Sequence, residues 1–78
     1  MIVLVPAYEP DHRLPDLVRD LAGVEGVQVV VVDDGSGLEH AAVFADAAGA
    51  GAEVLTHAEN RGKGAALRTG FAHVAVHH

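Results

Sequence analysis

The sequence predicts an α/β fold, a three-layer βαβαβα unit built on a short parallel sheet. Three runs rich in Val and Ile, at residues 2–5, 27–32 and 53–56, alternate with three segments of helical spacing. The first two runs are continuously apolar, the pattern of strands covered on both faces, as in a parallel sheet flanked by helices. The order strand, helix, strand then calls for right-handed crossovers and parallel pairing, with helices on both sides if the sheet reverses direction.

The elements follow in order. After the first strand, Leu14, Leu17, Val18 and Leu21 fall at i, i+3, i+4 and i+7, with Asp16, Arg19 and Asp20 on the opposite face. Pro15 is tolerated only in a first turn, so this helix starts near His12, and Gly23 supplies a stop. The second helix opens on a capping box, Ser36 as N-cap and Glu39 three residues on, and runs through Leu38, Ala41, Ala42, Ala45 and Ala48 to Gly49. The third follows Asn60-Arg61-Gly62 and carries Leu67, Phe71 and Val74 at i, i+4 and i+7. No repeat, low-complexity tract or long linker interrupts the series.

Bulk properties narrow the partners. With 78 residues the chain is one small unit or a piece of a larger one, and a chain this short buries only about 60% of its unfolded surface. The net charge of -6 and the lack of any basic window argue against nucleic acid, which needs a basic face. A small anion remains compatible, because one or two basic groups and a divalent cation offset a diphosphate locally. Without cysteine there is neither a disulfide framework nor a Cys-based zinc site. The apolar runs fall far short of the roughly 20 residues that span a bilayer, and the first lacks the basic start of a signal peptide, so the expected location is cytoplasmic.

Open parallel sheets bind ligands beyond the carboxyl ends of their strands. That is where the unusual residues fall: Pro6-Ala7-Tyr8-Glu9, Asp33-Asp34-Gly35-Ser36, and the segment from His57 to Lys63. Two adjacent carboxylates after four valines repel one another and lose hydration, which a fold tolerates when a cation or hydrogen-bond donors meet them. A bland alternative is an Asp that only caps the next turn. Asp33 is the better ligand candidate, while Asp34, nearer a helix N-terminus, serves backbone amides. Tyr8, the only tyrosine, is placed to lie against a base with its hydroxyl wet, and Glu9 to accept from ribose or base donors; the alternative is a tyrosine covering the core's edge.

Asn60-Arg61-Gly62-Lys63-Gly64 joins basic side chains to glycines at a helix start, a place suited to negative charge, although a solvated turn has the same composition. It is not a P-loop, since His57 stands where the earlier glycine belongs and Gly64 follows the lysine. It is not a dinucleotide fingerprint either, since Leu67 replaces the third glycine. The histidines at 12, 40, 57, 73, 77 and 78 are scattered; only His73 and His77 have i, i+4 spacing, and two ligands do not make a metal site, so most read as surface residues. Ser36 lacks the glycine-flanked elbow of the hydrolases, so covalent catalysis has no support.

Taken together, VLVPAYEPDHRLPDLVRDL, VVVVDDGSG and ENRGKGAALRTGF, in this order and spacing, resemble the start of the family 2 glycosyltransferases of the dolichyl-phosphate mannosyltransferase type. The resemblance covers nearly the whole chain. It implies half of a GT-A, Rossmann-like fold with sheet order 3-2-1, and a UDP- or GDP-sugar as donor to an acceptor hydroxyl or polyprenyl phosphate. Pro6, Ala7, Tyr8 and Glu9 would line the nucleoside pocket, Asp33 would hold base or ribose with Asp34 in support, and Lys63 would approach the base or diphosphate, with Arg68 a weaker candidate. Pro10 departs from the family, which often has a second acidic residue there.

The resemblance also implies a Mg or Mn ion held by an Asp-x-Asp motif after the next strand, and residues 1–78 contain no Asp-x-Asp. The expectation is therefore an N-terminal donor-binding portion that contributes no metal ligand or catalytic base and does not catalyse transfer alone, in a parent acting at the cytoplasmic side or membrane face. Order 3-2-1 would leave residues 2–5 as an apolar edge and favour self-association. Two further readings compete. An acidic pair after a strand is also similar to Mg-binding receiver domains, but there the pair follows the first strand and a phosphoacceptor Asp ends the third, whereas here those strands end in Pro6-Ala7 and Thr56-His57. The other is a structural fragment without a ligand.

Overall fold

The computed structural model describes residues 1–77. The elements are β1 (Ile2–Ala7), α1 (Arg13–Ala22), β2 (Gln28–Asp33), α2 (Ala41–Gly49), β3 (Ala52–Thr56) and α3 (Lys63–His77), with a short 3-10 turn at Leu38–His40 leading into α2. All pairing is parallel and β2 lies between β1 and β3, which is the expected 3-2-1 order. Helices α1 and α2 pack together over one face of the sheet, while α3 crosses to the other and lies on β1 and β2. Both faces are covered without a strand order that reverses.

The central strand explains its own sequence. Residues 29–33 are buried, and because side chains alternate, Val29 and Val31 meet Leu14, Val18, Phe44 and Ala47 while Val30 and Val32 turn to α3. On α3 the buried positions are Ala66 and Gly70. A Cβ at Gly70 would stand 3.1 Å from Cδ2 of Leu4, so the helix rests on the sheet at a spacing only a small residue permits.

Helix α1 begins and ends as its sequence predicts, with His12 and Gly23 at its boundaries. Its first turn is organised by Asp11, whose Oδ1 accepts the backbone N–H of Arg13 at 3.0 Å. The Arg13 guanidinium beside it holds the Asp11 carboxyl down at about 2. Leu14 and Val18 are buried, but Leu17 is 44% exposed at the margin of the expected apolar face.

Two helix expectations are corrected. No capping box starts the second helix: α2 begins at Ala41 without a side-chain cap, Leu38 is almost fully exposed, and the buried residues are Phe44 and Ala47 rather than the stripe through Ala41, Ala45 and Ala48. Phe44 wins because its ring offers far more apolar area than any alanine. On α3, Phe71 is 62% exposed, and the inward face is the adjacent small-residue stripe that lets helix and sheet approach.

Candidate functional site at the carboxyl end of the sheet

The strands finish level. Ala7, Asp33 and Thr56 are register partners across the sheet. One step further, Tyr8, Asp34 and His57 leave three adjacent strands together. The period-two alternation puts them on the face of Leu4 and Val32, where α3 packs, and leaves Asp33 on the face of Val29 and Val31. The two neighbouring aspartates therefore open to different sides of the sheet.

On the α3 side lies a cavity of about 460 Å³, lined by Pro6, Ala7 and Tyr8 from the end of β1, by Asp34, and by Asn60, Gly62 and Lys63 from the loop entering α3. Its volume is within the range of small-molecule sites. Asp33 instead borders a second cavity of about 440 Å³ with Leu38, Phe44, Thr56 and His57.

The carboxylate in the first cavity is held by a dense set of donors. Oδ1 of Asp34 accepts from Nδ1 of His57 at 2.8 Å and from the backbone N–H of Arg61 at 2.9 Å. The Asn60 side-chain amide reaches the Asp34 carbonyl at 3.1 Å and Oδ2 at 3.3 Å. Hydrogen bonds from the Arg61 amide, the His57 ring and the Gly62 amide outweigh burial and hold the Asp34 carboxyl below the ordinary aspartate value, so the group stays ionised. Asp33 has the more local duty: its Oδ1 accepts the backbone N–H of Ser36 at 2.9 Å and shapes the turn after β2. Asp33 thus shapes the turn after β2, while Asp34 accepts backbone amides, as expected of it, from the loop that precedes α3.

Gly35 lets the two loops touch. It has φ 74°, and a Cβ there would fall inside the backbone of Glu59 and Asn60. Ser36, freed from helix capping, accepts the backbone N–H of Glu9 at 2.9 Å through Oγ. Glu9 itself has φ 48°, a left-handed conformation unusual for this residue, fixed by that bond directly after Tyr8. The Glu9 carboxylate beside it raises the Tyr8 hydroxyl above its ordinary pKa, keeping the phenol a neutral donor.

Of the residues singled out in the sequence, Pro6, Ala7, Tyr8, Asp34 and Lys63 come together. Asp33 lies across the sheet from them, Glu9 is exposed next to Tyr8 and outside the cavity lining, and Arg68 is exposed on α3 with its guanidinium beside Gly64. His57 is the residue that composition concealed: expected at the surface with most of the histidines, it is 9% exposed. Its position level with Asp34 at the next strand's end was the available signal. His78 lies outside the described residues.

A divalent cation does not fit this set of side chains. Among the described residues no three His, Asp or Glu side chains converge to hold one. No helix in residues 1–77 is long and apolar enough to cross a membrane.

Three parallel strands between helical layers, with a carboxylate-bearing cavity at their carboxyl end and a basic glycine loop entering a helix beside it, define an α/β unit of the Rossmann-like class. The model of the family described as Glycosyl transferase family 2 matches residues 2–75, and the chain belongs to that family. No curated protein and no solved structure matches it significantly.

Proposed function

We propose that the α3-side cavity binds the nucleoside diphosphate end of a UDP- or GDP-sugar, the donor from which a family 2 glycosyltransferase moves a sugar to an acceptor hydroxyl or, as in the dolichyl-phosphate mannosyltransferase type, to a polyprenyl phosphate. The observation that carries this reading is the convergence of Tyr8, Asp34 and Lys63 on one cavity in a chain of this family. The half-exposed Tyr8 ring offers a face for the base. Asp34, ionised and acceptor-only, takes an N–H of the base or a ribose hydroxyl. Lys63, the first residue of α3, brings its charge to the diphosphate beside the helix N-terminus. In the transfer, the bond from the anomeric carbon to the diphosphate oxygen breaks and one to the acceptor oxygen forms. The residues described here bind and orient the donor side of that exchange.

Calorimetric titration of the chain with UDP and GDP, with and without Mn²⁺, tests this. Asp34→Ala is expected to reduce affinity by at least about tenfold, as loss of a charged hydrogen-bond partner does, and Asp33→Ala by much less. Absence of binding by either nucleotide, or an Asp34→Ala chain that binds like the parent, would overturn the reading.

A further inference from the structure

We propose that His57 is a positioning residue for this site: its imidazole clamps Oδ1 of Asp34, is itself held by Thr69 on α3, and so leaves Oδ2 as the oxygen that meets the ligand. The ligand half of this statement rests on the donor-binding reading above.

The geometry is a buried three-membered chain. Nδ1 of His57 stands 2.8 Å from Oδ1 of Asp34, and Nε2 stands 2.7 Å from Oγ1 of Thr69. Both the His57 and the Asp34 side chains are more than nine-tenths buried. An ionised carboxylate has no proton to give, so the proton in the first contact belongs to Nδ1 whether the ring is neutral or charged. In the neutral ring Nε2 is then an acceptor, and the Thr69 hydroxyl donates to it. The backbone supports the same alignment, because the His57 N–H donates to the Asp33 carbonyl at 2.8 Å and keeps the ring level with Asp34.

The consequence lies in how the two carboxylate oxygens differ. Oδ1 is committed twice by short contacts, to His57 and to the Arg61 N–H, whereas the Asn60 contact to Oδ2 is a long 3.3 Å, and the Gly62 amide is a further donor to the carboxylate. Each carboxylate oxygen offers about two lone-pair sites, so with Oδ1 filled the acceptor capacity open to a ligand lies on Oδ2. Thr69 and His57 are absent from the lining of this cavity, yet they decide which oxygen of Asp34 is available in it. They act on the ligand through Asp34, and neither is a catalytic residue.

Two measurements on the full chain test this. Nitrogen-15 NMR of the His57 ring is expected to show the Nδ1–H tautomer in the neutral form, shifting toward a mixture in Thr69→Val; a predominant Nε2–H tautomer in the parent would overturn the proposal. Titrations with UDP and GDP are expected to show His57→Val about tenfold weaker or more, and His57→Asn, whose amide replaces the Nδ1 donor, recovering most of the loss. A folded His57→Val chain with the parent's affinity, or equal losses in both variants, would also overturn it. If the parent binds neither nucleotide the donor reading fails, and the ring tautomer alone then decides whether His57 clamps Asp34.

Discussion

At the scale of single residues, the acidic pair was visible in the sequence, but the choice between its members was not. Both are carboxylates beside the same turn, and nearness to a helix N-terminus points to Asp34 for backbone amides and leaves Asp33 as the ligand candidate. What separates them is the alternation of β2, which sends Asp34 to the cavity shared with Tyr8 and Lys63 and Asp33 to the opposite side. Lowering of the Asp34 pKa, caused first by the Arg61 amide and then by the His57 ring, makes a pH prediction of definite sign. A carboxylate whose folded value is depressed contributes stability that is present above its ordinary value of 3.8 and is lost as the pH falls from there through the folded value. Urea unfolding of the parent and of Asp34→Asn, compared at pH 7 and near the acid limit, should show a stability difference at neutral pH that shrinks with acidification. A difference independent of pH would contradict the assignment.

At the scale of elements, legibility followed contrast in the sequence. The continuous valines gave β2, and Leu14, Val18 and Pro15 gave the start and inner face of α1, because large apolar and polar residues alternate there with an unambiguous period. In α2 and α3, alanine and glycine fill several faces, so periodicity has no direction to report. There the deciding factor was approach distance: Gly70 lets α3 reach Leu4, and Phe44 supplies what the alanines of α2 lack. The fully buried Val31 is the position at which β2 is most sensitive to loss of volume. Val31→Ala, which removes two methyl groups and leaves a void, is expected to cost about 2–3 kcal/mol, read as a lower urea midpoint at unchanged slope.

At the scale of the whole molecule, apolar and polar burial are segregated. The buried polar side chains among the described residues, Asp33, Asp34, Ser36 and His57, all stand at the carboxyl end of the sheet, and the valines lie below them. A sheet of three strands also has two borders. That of β3 carries Glu53 and Thr56, whereas that of β1 is Ile2, Val3, Leu4 and Val5, without a charge to discourage pairing. Self-association through β1 is therefore expected: sedimentation should depend on concentration, with β1 amides slower to exchange in the associated form. A concentration-independent monomer whose β1 amides are already protected would count against it.

Residues 29–32 are four identical side chains, and this has an effect on folding that the finished structure hides. Sliding β2 by one residue would exchange its two faces, a change that most strands resist because it turns apolar groups toward water. Here three of the four buried slots would still receive valine and only an end slot would take Gln28 or Asp33, so the hydrophobic pattern resists the slip less than in most strands. The alignment is fixed further beyond the valines, where Gly35 alone can lie against Glu59 and Asn60, and Asp34 alone meets His57 and the Arg61 amide. The groups that shape the cavity thus also proofread the alignment of the central strand, and weakening them together would release a mixture of the native and the slipped alignment rather than one loosened site.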